Sequence, residues 1–221
     1  MKADSKEGSI IYSKFLKLEE EKKQRILNGA MKEFALQGYK NASTDNMVKE
    51  AAISKGALFH YFKNKKSLFL FLYDYALGVL KEEILHKIDF EEKDVFKRRR
   101  QAILQKIEIS KLHPPIYEFV ATAFIDESPE IKNDIQGKNE KLMELGKSIM
   151  YEGIDTSRFK DGLEAGRILE IINWADEGLT KKLTWQLRHV PMDKWDYDEM
   201  LAELDNYMKL LKTAFYKDGG Q

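Results

Sequence analysis

This sequence predicts an all-α fold, on three observations. Apolar residues recur at three- and four-residue spacing along nearly the whole chain. The four prolines and 13 glycines fall mostly between these periodic stretches, where they punctuate helices rather than break them. Nowhere does a two-residue alternation run long enough to suggest a sheet. The 221 residues suffice for a small domain joined to a larger one, with a core that needs no covalent staples. There is no cysteine, which excludes disulfides and thiolate chemistry and fits a reducing, cytoplasmic setting. Lysines and acids spread through Met1 to Leu18 leave no signal peptide to read there. The longest apolar run, Leu68 to Leu80, is about 13 residues broken by Asp74, where a membrane span needs roughly 20.

Residues 1–18 read as an arm, 19–66 as a first domain and 67–221 as a larger helical domain. The first helix is expected from about Glu19 to Gln37, with Ile26, Leu27, Ala30, Met31 and Phe34 on its apolar face and Gly38 as a left-handed stop. Two short helices follow, near Thr44 to Ala51 and Lys55 to Phe62. A long one starts after Asn64 and runs to about Lys87. Helices near 93–112, 115–126, 130–151, 158–188 and 196–216 complete the chain. The breaks are His113-Pro114-Pro115, Ser128-Pro129, Gly153 and Val190-Pro191.

Net charge is zero, from 37 basic and 37 acidic residues, but the charges are unevenly placed. Residues 1–66 hold 14 Lys/Arg against 8 Asp/Glu, a net of +6, which leaves 23 against 29, a net of −6, in the rest. A basic head on an acidic body suits contact with a polyanion.

Within that head, two short helices meet across a turn of about three residues, the spacing of a helix-turn-helix. Met47, Val48, Ala51, Ile53, Leu58 and Phe62 supply an inner face, and Ala51 and Ala52 are small where the helices cross. Ser43 or Thr44 caps the first helix and Ser54 the second. The second helix presents Lys55, Gly56, Ala57, Phe59, His60 and Tyr61 on its exposed face. Small residues let its N-terminal end enter a major groove, where Lys reaches guanine acceptors, and Tyr and His can bond phosphate oxygens. Asn64 caps the next helix, so free amides and the helix dipole face an anion among Lys63, Lys65 and Lys66.

The stretch from about Lys22 to Leu72 closely resembles the TetR family of bacterial regulators. The resemblance is carried by Ile26-Leu27, Ala30, Phe34, Gly38-Tyr39 and Ser43-Thr44, and by the continuous run Ile53-Ser54-Lys55-Gly56-Ala57-Leu58-Phe59-His60-Tyr61-Phe62-Lys63-Asn64-Lys65-Lys66-Ser67-Leu68. It covers roughly a quarter of the chain. Two positions depart from the family pattern: Ala52 stands where glycine is usual, and Phe59 where tyrosine is common. The resemblance implies phosphate contacts from Thr44, His60 or Tyr61, and Lys65, and base contacts from Lys55, Gly56 and Ala57. With Ser43 and Phe59 these make up the expected DNA-binding set.

Beyond residue 75 the resemblance is architectural. It implies about five helices behind the head, a cavity for a small-molecule effector and a dimer interface from the last two helices. On the residues themselves, Tyr197, Leu201, Leu204, Met208, Leu211 and Phe215 form a heptad-like seam, with Met200, Tyr207, Leu210 and Ala214 beside it. The preceding helix is apolar on several sides, through Leu163, Ala165, Ile168, Leu169, Ile171, Ile172, Trp174 and Ala175, and Gly162 and Gly166 permit close approach. A four-helix bundle with a second copy would cover these surfaces; a core within one chain is the alternative. Tyr117, Phe124, Met143, Met150, Trp174 and Trp185, near Asn173, Asp176 and Glu177, offer material for a cavity. The same residues are ordinary core at helical spacing, so no ligand-binding residue is assigned. The run Arg98-Arg99-Arg100 reads as a solvated helix face rather than a second nucleic-acid site.

His60, His86, His113 and His189 are too scattered for a helix-borne metal pair, and there is no glycine-rich phosphate loop or nucleophile elbow. No catalytic residue, metal site, cofactor or membrane attachment is expected. The function expected is that of a ligand-responsive repressor, a cytoplasmic homodimer on a palindromic operator in double-stranded DNA. Two rivals stand beside it. One is a regulator without a small-molecule effector. The other is a helical binding or scaffold protein that has lost DNA binding, for which Ala52 and Phe59 leave room.

Overall fold

The computed structural model describes residues 12–187, 190 and 194–217. The described helices are α1 (Ser13–Leu16), α2 (Glu20–Asn41), α3 (Thr44–Glu50), α4 (Lys55–Phe62), α5 (Lys65–Lys87), α6 (Val95–Leu112), α7 (Pro114–Phe124), α8 (Pro129–Tyr151), α9 (Ala165–Leu187) and α10 (Tyr197–Phe215), with a 3-10 turn at Thr156–Arg158. The expected bounds of α4 and α5 coincide with the observed ones. Among the described residues there is no strand, and no helix is long and apolar enough to cross a membrane. Residues 1–11 of the expected arm, and the expected Val190-Pro191 break in part, lie outside the described residues.

Two compact units divide the chain. One takes in the chain up to His86 together with Glu108–Met143, and the other takes Lys87–Ile107 with the chain from Glu144 onward.

The first unit is built around α2. Its predicted face of Ile26, Leu27, Ala30, Met31 and Phe34 is buried against α3, α5 and α7. Helix α2 runs on to Asn41 instead of stopping at Gln37, but with a kink at Gly38 (φ 67°, ψ 175°). The positive φ that the sequence led one to expect is there; its extended ψ turns the chain without ending the hydrogen-bonded run, and the Ala42 N–H returns to the Gly38 carbonyl at 3.2 Å. Asp126, just after α7, holds this kink by accepting from the Tyr39 N–H at 2.7 Å. One turn earlier, the Thr122 hydroxyl donates to the Ala35 carbonyl at 3.2 Å. Helix α8 is tied to α5 by the Tyr73 hydroxyl donating to Asn139 Oδ1, by Lys138 with Asp74, and by Lys66 with Asp134 at 2.7 Å. Burial, aided by the Asp74 carboxylate, pushes the Tyr73 phenol up to about 12, so it stays a donor.

The second unit closes on Asp94, a buried carboxylate that caps α6. It accepts from the Phe96 and Lys97 amides at 2.9 and 3.2 Å, pairs with Arg158 at 2.5 Å and receives the Tyr216 hydroxyl at 3.2 Å. Phe159 and Tyr216 form an isolated antiparallel bridge, flanked by bonds from Lys160 N–H to Phe215 and from Lys217 N–H to Arg158. That bridge holds 159–164 outside any helix, which is why α9 begins at Ala165 and not near 158.

The arginine run departs from the sequence reading: Arg98 and Arg99 are buried, and only Arg100 is exposed, paired with Asp205 at 2.9 Å. Arg98 donates to the carbonyls of Ile149 and Glu152, which end α8, and to those of Phe90 and Glu92. A guanidinium presents five donors in a plane, so one side chain can serve several orphan carbonyls at a helix end. The heptad-like seam of α10 also turns inward, with Leu204 and Met208 buried in this unit's own core.

Burial alone would raise the Asp126 carboxyl, but hydrogen bonds from Ser128 and from the Tyr39 N–H hold it below the ordinary aspartate value. Its contribution is therefore complete above the unfolded aspartate pKa of about 3.9 and is lost as pH falls through the lower folded value. Asp126→Asn is expected to lower unfolding stability by about 1–2 kcal/mol at pH 7, with the difference fading in strong acid. Denaturant titrations at both pH values check this; an equal deficit throughout would remove the carboxylate's charge from the account.

Candidate nucleic-acid interface

Helices α3 and α4 and the turn between them form the helix-turn-helix, and each end is fixed by a local interaction. Ser43, not Thr44, caps α3, accepting the Asn46 N–H at 3.4 Å. Ser54 caps α4 by accepting the Ala57 N–H at 3.1 Å, and Asn64 caps α5 by accepting the Ser67 N–H at 2.8 Å. The expected inner face is in place: Met47, Ala51, Leu58 and Phe62 are buried, and Val48 and Ile53 pack against them half-buried. A methyl group added to Gly29 would sit 3.3 Å from the Glu50 side chain and 3.4 Å from the Ala51 nitrogen, so α2 and α3 approach closely there. The sequence reading passed over Gly29; only the partner across it gives it meaning.

Among the described residues, two non-glycine residues have positive φ, and both flank α4. Ala52 (φ 52°) makes the turn between the two helices, at the position where the resembled pattern usually has glycine. Lys63 (φ 64°, ψ −50°) ends α4 in a γ-turn, with the Asn64 N–H on the Phe62 carbonyl. L-residues adopt such conformations only when their surroundings impose them. Here the imposing contacts are the buried Ala51 on one side and the buried Phe62 and Leu68 on the other.

The exposed face of α4 is narrower than its sequence suggested. Lys55, Gly56 and His60 are exposed, whereas Ala57, Phe59 and Tyr61 are half-buried. A Cβ at Gly56 would meet nothing closer than Ser54 Oγ at 3.9 Å, so the helix is open beside it. Tyr61 packs on the core, its ring 6.3 Å from that of Phe15. Ser43 and Thr44 are half-buried at the start of α3. The half-buried Lys65 donates its ammonium to the carbonyls of Lys40 and Ala42, at 3.1 and 3.2 Å, and lies over the Tyr39 ring. It thus satisfies the end of α2, a role its sequence position did not disclose. Lys55 is ion-paired with Asp45 at 2.9 Å. Asp45, in the first turn of α3, was not among the expected residues, because pairing across a turn carries no periodic signal.

The arrangement can do one thing chemically. It offers the N-terminal end of a short, rigid helix, with a lysine and a glycine foremost, to a surface of hydrogen-bonding acceptors. In the second unit, Arg99 sits buried between the Tyr151 hydroxyl at 2.8 Å and the Asp176 carboxylate, and Tyr151 donates onward to Asn173 at 3.2 Å. Of the residues considered for a cavity, Phe124, Met143, Trp174 and Trp185 are exposed.

Residues 26–72 match the family described as bacterial regulatory proteins, tetR family. An uncharacterized HTH-type transcriptional regulator of Bacillus subtilis, YhgD, is 27% identical over 183 residues, covering 79% of this chain and 89% of its own. The fatty acid metabolism regulator protein of the same organism is 23% identical over 209 residues, covering 91% and 99%. Among solved structures, a TetR family transcriptional regulator from Chloroflexus aurantiacus matches with a TM-score of 0.64 at 18% identity, over 93% of this chain and 98% of its own. The Bacillus subtilis regulator FadR in complex with stearoyl-CoA matches with a TM-score of 0.61 at 19% identity, over 85% and 96%.

An alanine at left-handed φ costs about 1 kcal/mol more than a glycine there. Ala52→Gly is therefore expected to raise the denaturation midpoint with no change in the denaturant slope. A lowered midpoint would show that the Ala52 methyl group makes contacts worth more than the strain.

Proposed function

Because the chain belongs to the TetR family of bacterial regulatory proteins, and so is a DNA-binding transcriptional regulator, we propose that it acts as a ligand-responsive repressor, a cytoplasmic homodimer on a palindromic operator. The observation that carries this reading is the open N-terminal end of α4, where exposed Lys55 and Gly56 project from a helix whose far end is buried through Leu58 and Phe62. Lys55, Gly56 and Ala57 take the bases, and Phe59 sits beside them as an apolar contact. Ser43, Thr44, His60, Tyr61 and the remaining Lys65 donor take phosphates. Residues 19–66 serve as the DNA-binding domain and 67–221 as the effector and dimer domain.

Support for the dimer comes from the outer faces of α9 and α10. Ile171 and Trp174 lie one turn apart on α9, and Tyr207 and Leu210 one turn apart on α10; all four are exposed, Trp174 by 63% and Leu210 by 67%. The second stripe of α10, not the heptad-like seam, is the one turned outward. Two such stripes on neighbouring helices, joined by Lys182 with Glu203 at 2.9 Å, suit a four-helix bundle with a second copy. A two-fold dimer places two heads one helical turn of DNA apart, about 34–36 Å, and an effector that favours another spacing releases the operator. Long-chain acyl-CoA is the first effector class to titrate, since a relative of similar length is a fatty acid metabolism regulator and a structural neighbour holds stearoyl-CoA.

Selection of bound sequences from random duplex DNA, with the full chain at a stated salt concentration, tests the reading. A two-fold symmetric site is the expected result. Folded protein that recovers no sequence would overturn it in favour of a helical protein without DNA function. Trp174→Glu with Leu210→Glu is expected to give a folded monomer by light scattering that binds the selected site at least tenfold more weakly; an unchanged dimer would place the interface elsewhere.

A further inference from the structure

The helix-turn-helix face carries an acid where a surface meeting phosphates would be expected to carry none. Asp45 stands in the first turn of α3, and its side chain is 71% exposed. Two neighbouring polar groups at that helix start are engaged with α2: the Ser43 N–H and the Asn46 amide both donate to Glu33, at 2.8 and 3.3 Å. Asp45 turns towards α4, where its carboxylate lies 2.9 Å from the ammonium of Lys55. Lys55 is the first residue of α4, and the N-terminal residues of a recognition helix are those that reach base edges. The carboxylate is therefore held within one hydrogen bond of the group best placed to enter the groove.

An unpaired carboxylate there would repel the DNA backbone. Paired with Lys55, it becomes half of a donor–acceptor couple. The major-groove edge of a G·C pair presents the complement: guanine O6 and N7 accept, and the neighbouring cytosine N4 amino group donates. An A·T pair offers that combination with a different arrangement, plus a thymine methyl group that a carboxylate does not favour. We infer that Asp45 and Lys55 act as one base-reading unit, the ammonium taking guanine and the carboxylate taking the cytosine amino group, so that each half-site carries a G·C pair at one fixed position. This rests on the DNA-binding reading above and goes beyond it by adding Asp45 as a specificity-determining residue and stating what it selects.

The test repeats the random-duplex selection with the full-length parent, Asp45→Ala, Asp45→Asn and Lys55→Ala, each at two salt concentrations. Surface ion pairs contribute little to stability, so all four proteins are expected to melt alike. In the parent, one G·C pair per half-site should be strongly preferred. Asp45→Ala and Lys55→Ala should each relax the preference at that same pair by about tenfold or more. Asp45→Asn, whose amide suits adenine, should move it away from cytosine. If Asp45→Ala keeps the parental profile while binding all DNA more tightly, Asp45 is merely a repulsive charge and the inference is overturned. Relaxation at two different base pairs would overturn the idea of a single unit. A parent that selects a symmetric site with unchanged variants defeats this inference alone; a folded parent that selects nothing defeats the DNA-binding reading with it.

Discussion

A short helix can lend one end to a nucleic acid only if its other end is immobile, and burial of Phe62 supplies that constraint. Phe62 is the last residue of α4 and is fully buried. Its ring meets Phe15 of α1 at 4.8 Å, Phe71 of α5 at 5.3 Å and Tyr12 at 5.9 Å, in tilted arrangements that suit aromatic quadrupoles. Eight residues of helix have little stability of their own. Their order comes from this cluster, from Leu58 one turn earlier, and from the caps at Ser54 and Asn64. Phe15 also makes the last residues before α2 part of the head, although their sequence reads as an arm.

The strain at Ala52 and Lys63 follows from the same constraint. With the inner face of α4 and the residues flanking it buried, the chain enters and leaves the helix through single residues at positive φ. The turn at Ala52 sets the distance between the starts of α3 and α4, and that distance lets Asp45 and Lys55 meet. Lys65 then ties the start of α5 to the end of α2 through the Lys40 and Ala42 carbonyls. In the first unit, Asp126 and Thr122 fasten α2 to the α7 region at two successive turns, so the two are joined by hydrogen bonds as well as by packing.

In the second unit a few charges are interior. Asp94 and Arg98 are both buried, each surrounded by several partners, and they fix the start of α6 to the end of α8 and to the Phe159–Tyr216 bridge. A buried charge left unpaired is strongly destabilising, so these residues specify one arrangement of the segments around them. Exposed apolar residues of this unit include Ile171, Trp174 and Trp185 on α9 and Tyr207 and Leu210 on α10.

What the sequence by itself determined was periodic or local. The all-α class, the bounds of α4 and α5, the buried face of α2, the inner face of the helix-turn-helix and the caps at Ser54 and Asn64 all depend on spacing of three to four residues or on chemistry within one turn. What only the tertiary structure decided was the choice among surfaces that periodicity leaves equivalent. Two apolar stripes run along α10, and packing turned the Leu204–Met208 stripe inward and left Tyr207 and Leu210 outside. Three consecutive arginines look alike as a charge run, yet carbonyls at the end of α8 drew Arg98 inside. Lys65 found carbonyls 23 and 25 residues away, and Asp45 found Lys55 across a turn. Side-chain partners distant in sequence are set by where the backbone folds, and no pattern of neighbours records them.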